Sequence, residues 1–318
     1  MAKIEKFVFD LDDKMKDFYT NHVKTAHAMT ECRDIPYGQD EICKLDVVYP
    51  SDATGKLPVL INVHGGAWIT GDKHYRRGQG LLFADMGMCV VTPNYGLAPQ
   101  YRYETMLVHL RGVFDWLKAH ADEYPMDLTK LFLTGDSAGG QFACLLAATW
   151  NNDTFWGRLG LTAPRMPITG AFLACGAYDF ARLERNPMAG RIIHDMTGMS
   201  RKELADYPYR DLLDTIAWVG EDFPQDVLIM SGRSDMFVGG HERTLADKLD
   251  ACGKRYFLYR GGGAGDHCFH LRYRSKASQI YYHAVQEYVR AKCADPDAVP
   301  LLQAPVQHFA PKDQASQA

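Results

Sequence analysis

The stretch Lys130-Leu-Phe-Leu-Thr-Gly135-Asp136-Ser137-Ala138-Gly139-Gly140 constrains this chain more than any other. A short apolar run enters G-x-S-x-G, and a helical pattern from Ala138 to Trp150 leaves it. A strand passes this abruptly into a helix only through a strained residue, and Gly135 and Gly139 are small because the two elements approach closely there. The turn pushes the Ser137 hydroxyl out at the carboxyl end of a sheet. The helix beginning at Ala138 aims unpaired N–H groups and its positive dipole end at any negative charge forming beside that hydroxyl. The plainer reading is a serine N-cap before a tight glycine turn; the strand before it and the helix after it favour a nucleophile.

The rest of the chain supplies a sheet for that turn. Apolar runs at Ile42–Tyr49, Val59–Val63, Met88–Thr92, Lys130–Thr134, Ile168–Ala174, Val227–Met230 and Tyr256–Tyr259 read as strands. Helical patterns at Arg77–Asp85, Glu104–Ala121, Ala138–Trp150, Gly240–Ala251 and Ser275–Lys292 lie between or after them. Strand and helix alternating at this spacing predict an α/β fold, a mostly parallel central sheet with helices on both faces. Val59-Leu-Ile-Asn-Val63 reads as a central strand, whereas Lys44-Leu45-Asp46-Val47 alternates like an edge strand. Two regions break the repeat. Residues 1–40 carry an amphipathic pattern (Phe7, Phe9, Leu11, Met15, Phe18), and residues 181–222 are charge-rich, with helical stretches at Arg201–Ala205 and Tyr209–Val219. Both are assigned to a helical cap over a catalytic domain spanning 41–292. Residues 293–318, with four prolines and no periodicity, read as a tail or extended strap.

Charge and cysteine usage narrow the function. With 35 basic against 39 acidic residues, no sequence-wide positive field gathers nucleic acid. The opening MAKIEKFVFDLDDKMKDF lacks a signal-peptide core, and no apolar run is long enough to span a bilayer. The expectation is a soluble cytoplasmic protein without a membrane partner. Eight cysteines without a C-x-x-C pair suit reduced thiols better than a zinc site, so no metal and no cofactor is expected.

A serine nucleophile needs a base and an orienting carboxylate, which follow it in the order acid, then histidine. After Val227-Leu-Ile-Met230 comes Ser231-Gly-Arg-Ser-Asp235, making Asp235 the candidate acid; Asp226, at the wrong strand end, and Asp266 are its rivals. After Tyr256-Phe-Leu-Tyr259 comes a glycine-rich loop holding His267 and His270, with His267 the preferred base. The strand Val59–Val63 runs into His64-Gly65-Gly66-Ala67-Trp68, where successive glycines let backbone N–H groups turn into a cavity and receive an oxyanion. The expected donors are Gly66, Ala67 and Ala138, with Gly65 also a candidate, and His64 is expected to hold the loop by hydrogen bonds. Asp136, beside the nucleophile, is a further candidate for the substrate site, and Trp68, Tyr95 and Tyr178 follow strand ends and are candidates to narrow the pocket.

His64-Gly-Gly-Ala, Gly135-Asp-Ser-Ala-Gly-Gly140, Gly232-x-x-Asp235, His267-x-Phe269 and Asn94-Tyr95-Gly-Leu-Ala-Pro99 together resemble the hormone-sensitive-lipase-like esterases of the α/β-hydrolase superfamily, over roughly residues 40–292. The resemblance implies an α/β-hydrolase fold and a cap built from the N-terminus and an insertion before the acid. It also implies a Ser137-His267-Asp235 carboxylesterase acting on a small-molecule ester, with a homodimer compatible. Ala67 departs from the usual third glycine, and Met236-Phe-Val-Gly-Gly-His-Glu242 lacks the usual acidic pair. Two other hydrolase functions fit the same residues: an arylformamidase-like amide hydrolase, because His-Gly-Gly-x-Trp also occurs there, and a carbohydrate or feruloyl esterase. Relatives of the group that act as small-molecule receptors keep the fold but lose the catalytic histidine, so the presence of His267 counts against that third reading.

Overall fold

Successive residues of the run at 59–63 are buried, Leu60 at 0% and Ile61 at 1% exposure, so both faces of that strand are covered. In the computed structural model, residues 22–311 apart from 188 and 265 are described, together with residues 3, 5, 6, 10, 11 and 14. The strands are β1 (Met29–Pro36), β2 (Lys44–Pro50), β3 (Leu57–Val63), β4 (Cys89–Pro93), β5 (Met126–Asp136), β6 (Ile168–Ala174), β7 (Val227–Ser234), β8 (Tyr256–Ala264) and β9 (Gln307–Phe309). They form one sheet in the order β1-β2-β4-β3-β5-β6-β7-β8-β9. Pairing is parallel from β4 through β8 and antiparallel at both ends. The helices that matter here are α1 (Arg77–Asp85), α2 (Tyr103–His120), α3 (Ala138–Thr149), α4 (Phe180–Arg185), α5 (Ala189–Thr197), α6 (His241–Ala251) and α7 (Lys276–Ala294). Phe83 of α1 packs on Tyr282 of α7 and Phe172 of β6, and Tyr103 of α2 stacks on Phe142 of α3. This is the α/β-hydrolase arrangement.

Topology decides where a site can form. β4 lies on one side of β3 and β5 on the other, so the chain reverses direction across the sheet at β3. Crevices at the carboxyl ends of strands beside such a reversal are where open α/β sheets bind ligands. Val63 pairs with Gly135, so β3 and β5 end level and the loops carrying Gly66 and Ser137 emerge side by side.

Several elements differ from expectation. β2 is the second strand, not the edge; the edge is β1, from within the segment read as cap, and its MTECRDIP sequence carries too many polar residues to announce a strand. Phe7, Phe9, Met15 and Phe18 lie outside the described residues, and Leu11 is 48% exposed. In the insertion the continuous helix expected over 209–219 is instead the short turns Arg210–Leu213 and Thr215–Trp218, because Asp214 adopts an extended backbone between them. Its longer helices are α4, capped by Asp179 accepting from Arg182 N–H (2.9 Å), and α5. The proline-rich end acts as a strap: β9 pairs with β8, and Phe309 stacks on Tyr256 at 4.9 Å. No helix among the described residues is long and apolar enough to cross a membrane.

Candidate active site

Ser137 sits between β5 and α3 with φ 55° and ψ −118°, a conformation strained for any residue with a Cβ. Its N–H donates to Ala174 O (2.9 Å), fixing the turn against β6. A Cβ on Gly139 would overlap the carbonyl oxygens of Val63 and His64, so glycine is what lets α3 press its first turn against the end of β3. The Ser137 side chain makes no capping hydrogen bond to α3.

The loop after β3 is held from below. Gly66, Ala67 and Trp68 all have positive φ, at 124°, 50° and 61°. His64 Nδ1 donates to Gly65 O (2.8 Å), and its ring stacks on Tyr95 at 4.4 Å; Tyr95 O–H donates to His64 O (2.9 Å). Burial pushes the His64 pKa down to about 4, so the ring is neutral and its Nδ1 keeps the proton. Asp136, expected near substrate, lies instead beneath the loop. Its carboxylate takes both Arg76 Nε (2.6 Å) and an Arg76 terminal nitrogen (2.8 Å), each residue about 2% exposed or less. Its Oδ1 also accepts from Gly65 N–H (3.2 Å), which removes Gly65 from the candidate oxyanion donors. No protein acceptor takes the N–H groups of Gly66 and Ala67 among the described residues. Ala138, as the first residue of α3, has no intrahelical partner for its own. Breaking a buried ion pair leaves an uncompensated charge, so Arg76→Met is expected to lower unfolding stability by about 3–5 kcal/mol, measured in urea. A loss under about 1 kcal/mol would mean that Asp136 is supported by something else.

Asp235 and His267 come together from the ends of β7 and β8. His267 Nδ1 lies 2.7 Å from Asp235 Oδ2, with the two side chains 9% and 1% exposed. The other Asp235 oxygen accepts from Phe237 N–H (2.9 Å) and Val238 N–H (3.0 Å). Burial alone would raise the Asp235 pKa, but His267 and these two amides outweigh it and hold the carboxyl below its ordinary value. For His267, burial opposes the imidazolium, while the neighbouring Cys268 sulfur and the Asp235 carboxylate favour it and win, so its pKa rises. The Cys268 thiol is itself pushed well above its ordinary value by burial and carries no charge near neutrality, which leaves Asp235 as the group holding the proton on His267.

The rivals are otherwise engaged. Asp226, at the far end of β7, pairs with Arg255 (2.7 Å) and Lys292 (2.8 Å). Asp266 turns to Arg272 (2.5 Å). His270 is fully buried, edge-on to Tyr281 at 5.3 Å.

Ser137 and His267 line one cavity with Ala67, Trp68, Phe237 and Val238, walled by Leu183 of α4 and by Ala189 and Ile192 of α5. Its volume is about 40 Å³, the room of one or two waters. Of the pocket aromatics expected, Trp68 lines it. Tyr95 does not, being fully buried under His64, nor does Tyr178, whose ring folds back against Gly176. Gln141, unforeseen in the sequence, fixes Trp68: its Oε1 accepts from Trp68 Nε1–H (3.3 Å) while its Nε2 donates to Tyr103 and Thr215 hydroxyls (2.7 and 2.8 Å). A glutamine inside the otherwise apolar α3 was the available signal. Phe237, edge-on to the His267 ring at 5.2 Å, was likewise missed.

Two clusters among the described residues bring three metal-ligand atoms within 4.8 Å: Cys175, His267 and Cys268, and Asp40, Cys43 and His109. In the first, His267 Nδ1 is committed to Asp235 and the Cys268 thiol resists ionisation, whereas zinc takes thiolates. In the second, His109 accepts from Gly96 N–H at Nδ1 (3.0 Å) and meets Asp40 at Nε2 (2.8 Å), leaving no ring nitrogen for a metal.

A family model described as BD-FAE matches residues 45–249, more than half of the chain and including Ser137 and Asp235. A protein of Mycobacterium tuberculosis named probable carboxylic ester hydrolase LipM is 30% identical over 245 residues, 75% of this chain and 55% of its own. A kynurenine formamidase of Salmo salar is 29% identical over 147 residues, 46% of each chain. The chain thus spans about half the length of these curated relatives. Among solved structures, an inhibited esterase B of Lactobacillus rhamnosis superposes with a TM-score of 0.82 at 20% identity, covering 93% of this chain and 97% of that one. At that identity the likeness shows the fold.

Proposed function

We propose that this chain, which belongs to the BD-FAE family, is a serine carboxylesterase that cleaves short-acyl esters through an acyl-enzyme. In this reading His267 accepts the Ser137 proton as the hydroxyl oxygen attacks the ester carbonyl. Asp235 holds the His267 tautomer and stabilises the imidazolium. The oxyanion is received by the N–H groups of Gly66, Ala67 and Ala138, which are already fixed before substrate arrives. The imidazolium then protonates the departing alkoxide, and water, activated by the same imidazole, releases the acid. The observation that supports this best is the 2.7 Å pair of His267 and Asp235 opening onto the same cavity as Ser137. No step needs a cofactor, and eight free cysteines suit a reducing, cytoplasmic compartment.

The narrow cavity sets the acyl range. Acetyl through butyryl p-nitrophenyl esters are expected to give the highest kcat/KM, with a fall of about tenfold or more by octanoyl, as each chain extension must displace α4 or α5. A kcat/KM that climbs steadily to decanoyl would mean an open pocket and a lipase. The likeness to a kynurenine formamidase favours one second reading, N-formyl amide hydrolysis by the same residues. Assaying N-formyl aromatics beside the ester series separates the two.

A further inference from the structure

One wall of the catalytic cavity comes from the other end of the chain. Glu5 lines the same cavity as Ser137 and His267, with its side chain only 13% exposed. Its Oε1 lies 3.3 Å from an Arg191 terminal nitrogen on α5. Its Oε2 is buried with no hydrogen-bond partner. Apart from Ser137, His267 and Asn186, the remaining lining is apolar, and Asn186 Nδ2 donates to Phe237 O (3.3 Å). A carboxylate oxygen buried beside an apolar cavity is costly unless a donor reaches it, and a buried polar group left unsatisfied calls for a partner, which a bound ligand can supply.

Resting on the esterase reading above, we infer that Glu5 Oε2 is a recognition point for a hydrogen-bond donor on the substrate, so that the preferred esters carry a hydroxyl or a protonated amine near the scissile bond. The pairing with Arg191 leaves one oxygen, and therefore one acceptor, without a partner in a residue that lines the cavity. Glu5 and Ser137 line the same cavity, so an ester attacked by Ser137 brings atoms near its scissile bond to the wall that Glu5 forms. A site built to bond a donor rejects the analogue lacking it, because the acceptor is then left unpaired.

The test uses the full chain and follows butyrate release by pH-stat from three esters: butyl butyrate, glycerol monobutyrate and dimethylaminopropyl butyrate. Wild type is expected to favour each donor-bearing ester over butyl butyrate by about tenfold or more in kcat/KM. Glu5→Leu should bring both ratios close to one. Glu5→Gln, which keeps a neutral acceptor, should retain the hydroxyl preference and lose the amine preference. Equal kcat/KM for the three esters in wild type, or ratios unchanged in Glu5→Leu, would overturn the inference while leaving the esterase reading intact. No release from any ester by folded wild-type protein would overturn the esterase reading, and this inference with it.

Discussion

Ser137→Ala is expected to fold like the parent, lose about 10⁴- to 10⁶-fold in kcat on p-nitrophenyl acetate, and fail to label with a fluorophosphonate. The size of the loss follows from removing the attacking oxygen while leaving only the oxyanion donors and binding contacts. The stability half of the expectation is equally diagnostic. Were Ser137 an N-cap for α3, alanine would cost roughly 1 kcal/mol. Its side chain makes no capping bond, however, and alanine tolerates φ 55° no worse than serine. Thermal melts of the two proteins should therefore overlay. A melt lowered by several degrees with activity retained would restore the capping role, and labelling of the variant at the wild-type rate would move the nucleophile elsewhere.

What the sequence made legible was local. The strand, turn and helix around Ser137 are written in consecutive residues, because backbone strain and close approach require glycines at fixed offsets. The position of Asp235 just after β7 was legible for the same reason, since both strand end and turn are visible in Val227–Asp235. What stayed hidden was long-range. Nothing near Gly65 says that its N–H is taken by Asp136, 71 residues away. Tyr95 looked like a pocket residue because it follows a strand end, yet the stacking that buries it depends on where His64 lies. The two edge strands, β1 and β9, gain their strand character from pairing with β2 and β8, not from their own polar or proline-broken sequences. Glu5 could not be read at all, since nothing in the residues beside it in the sequence says that it lines a cavity with Ser137 and His267.

The choice between His267 and His270 rests on three-dimensional placement, so it makes the sharpest functional test. They lie three residues apart in one loop, and a reading based on spacing alone could take either. His267 meets Asp235 and opens onto the cavity with Ser137; His270 is turned the other way, into the core beside Tyr281. His267→Ala is therefore expected to lower kcat about as far as Ser137→Ala, because members of a triad act as a unit. His270→Ala should alter kcat by less than about tenfold, its cost falling on stability instead, since it opens a hole in the core. A second signature follows from charge. A base must be neutral to accept the Ser137 proton, and Asp235 stabilises the imidazolium, so the raised His267 pKa carries protonation to higher pH. The acid limb of kcat/KM should then fall on the alkaline side of the ordinary histidine value of about 6.5. Asp235→Asn removes the stabilising charge, and should shift the limb to lower pH even as kcat drops. His270→Ala should leave the limb where it is. A collapse of kcat in His270→Ala with near-normal turnover in His267→Ala would reverse the assignment, and a limb that ignores Asp235→Asn would detach that carboxylate from the base.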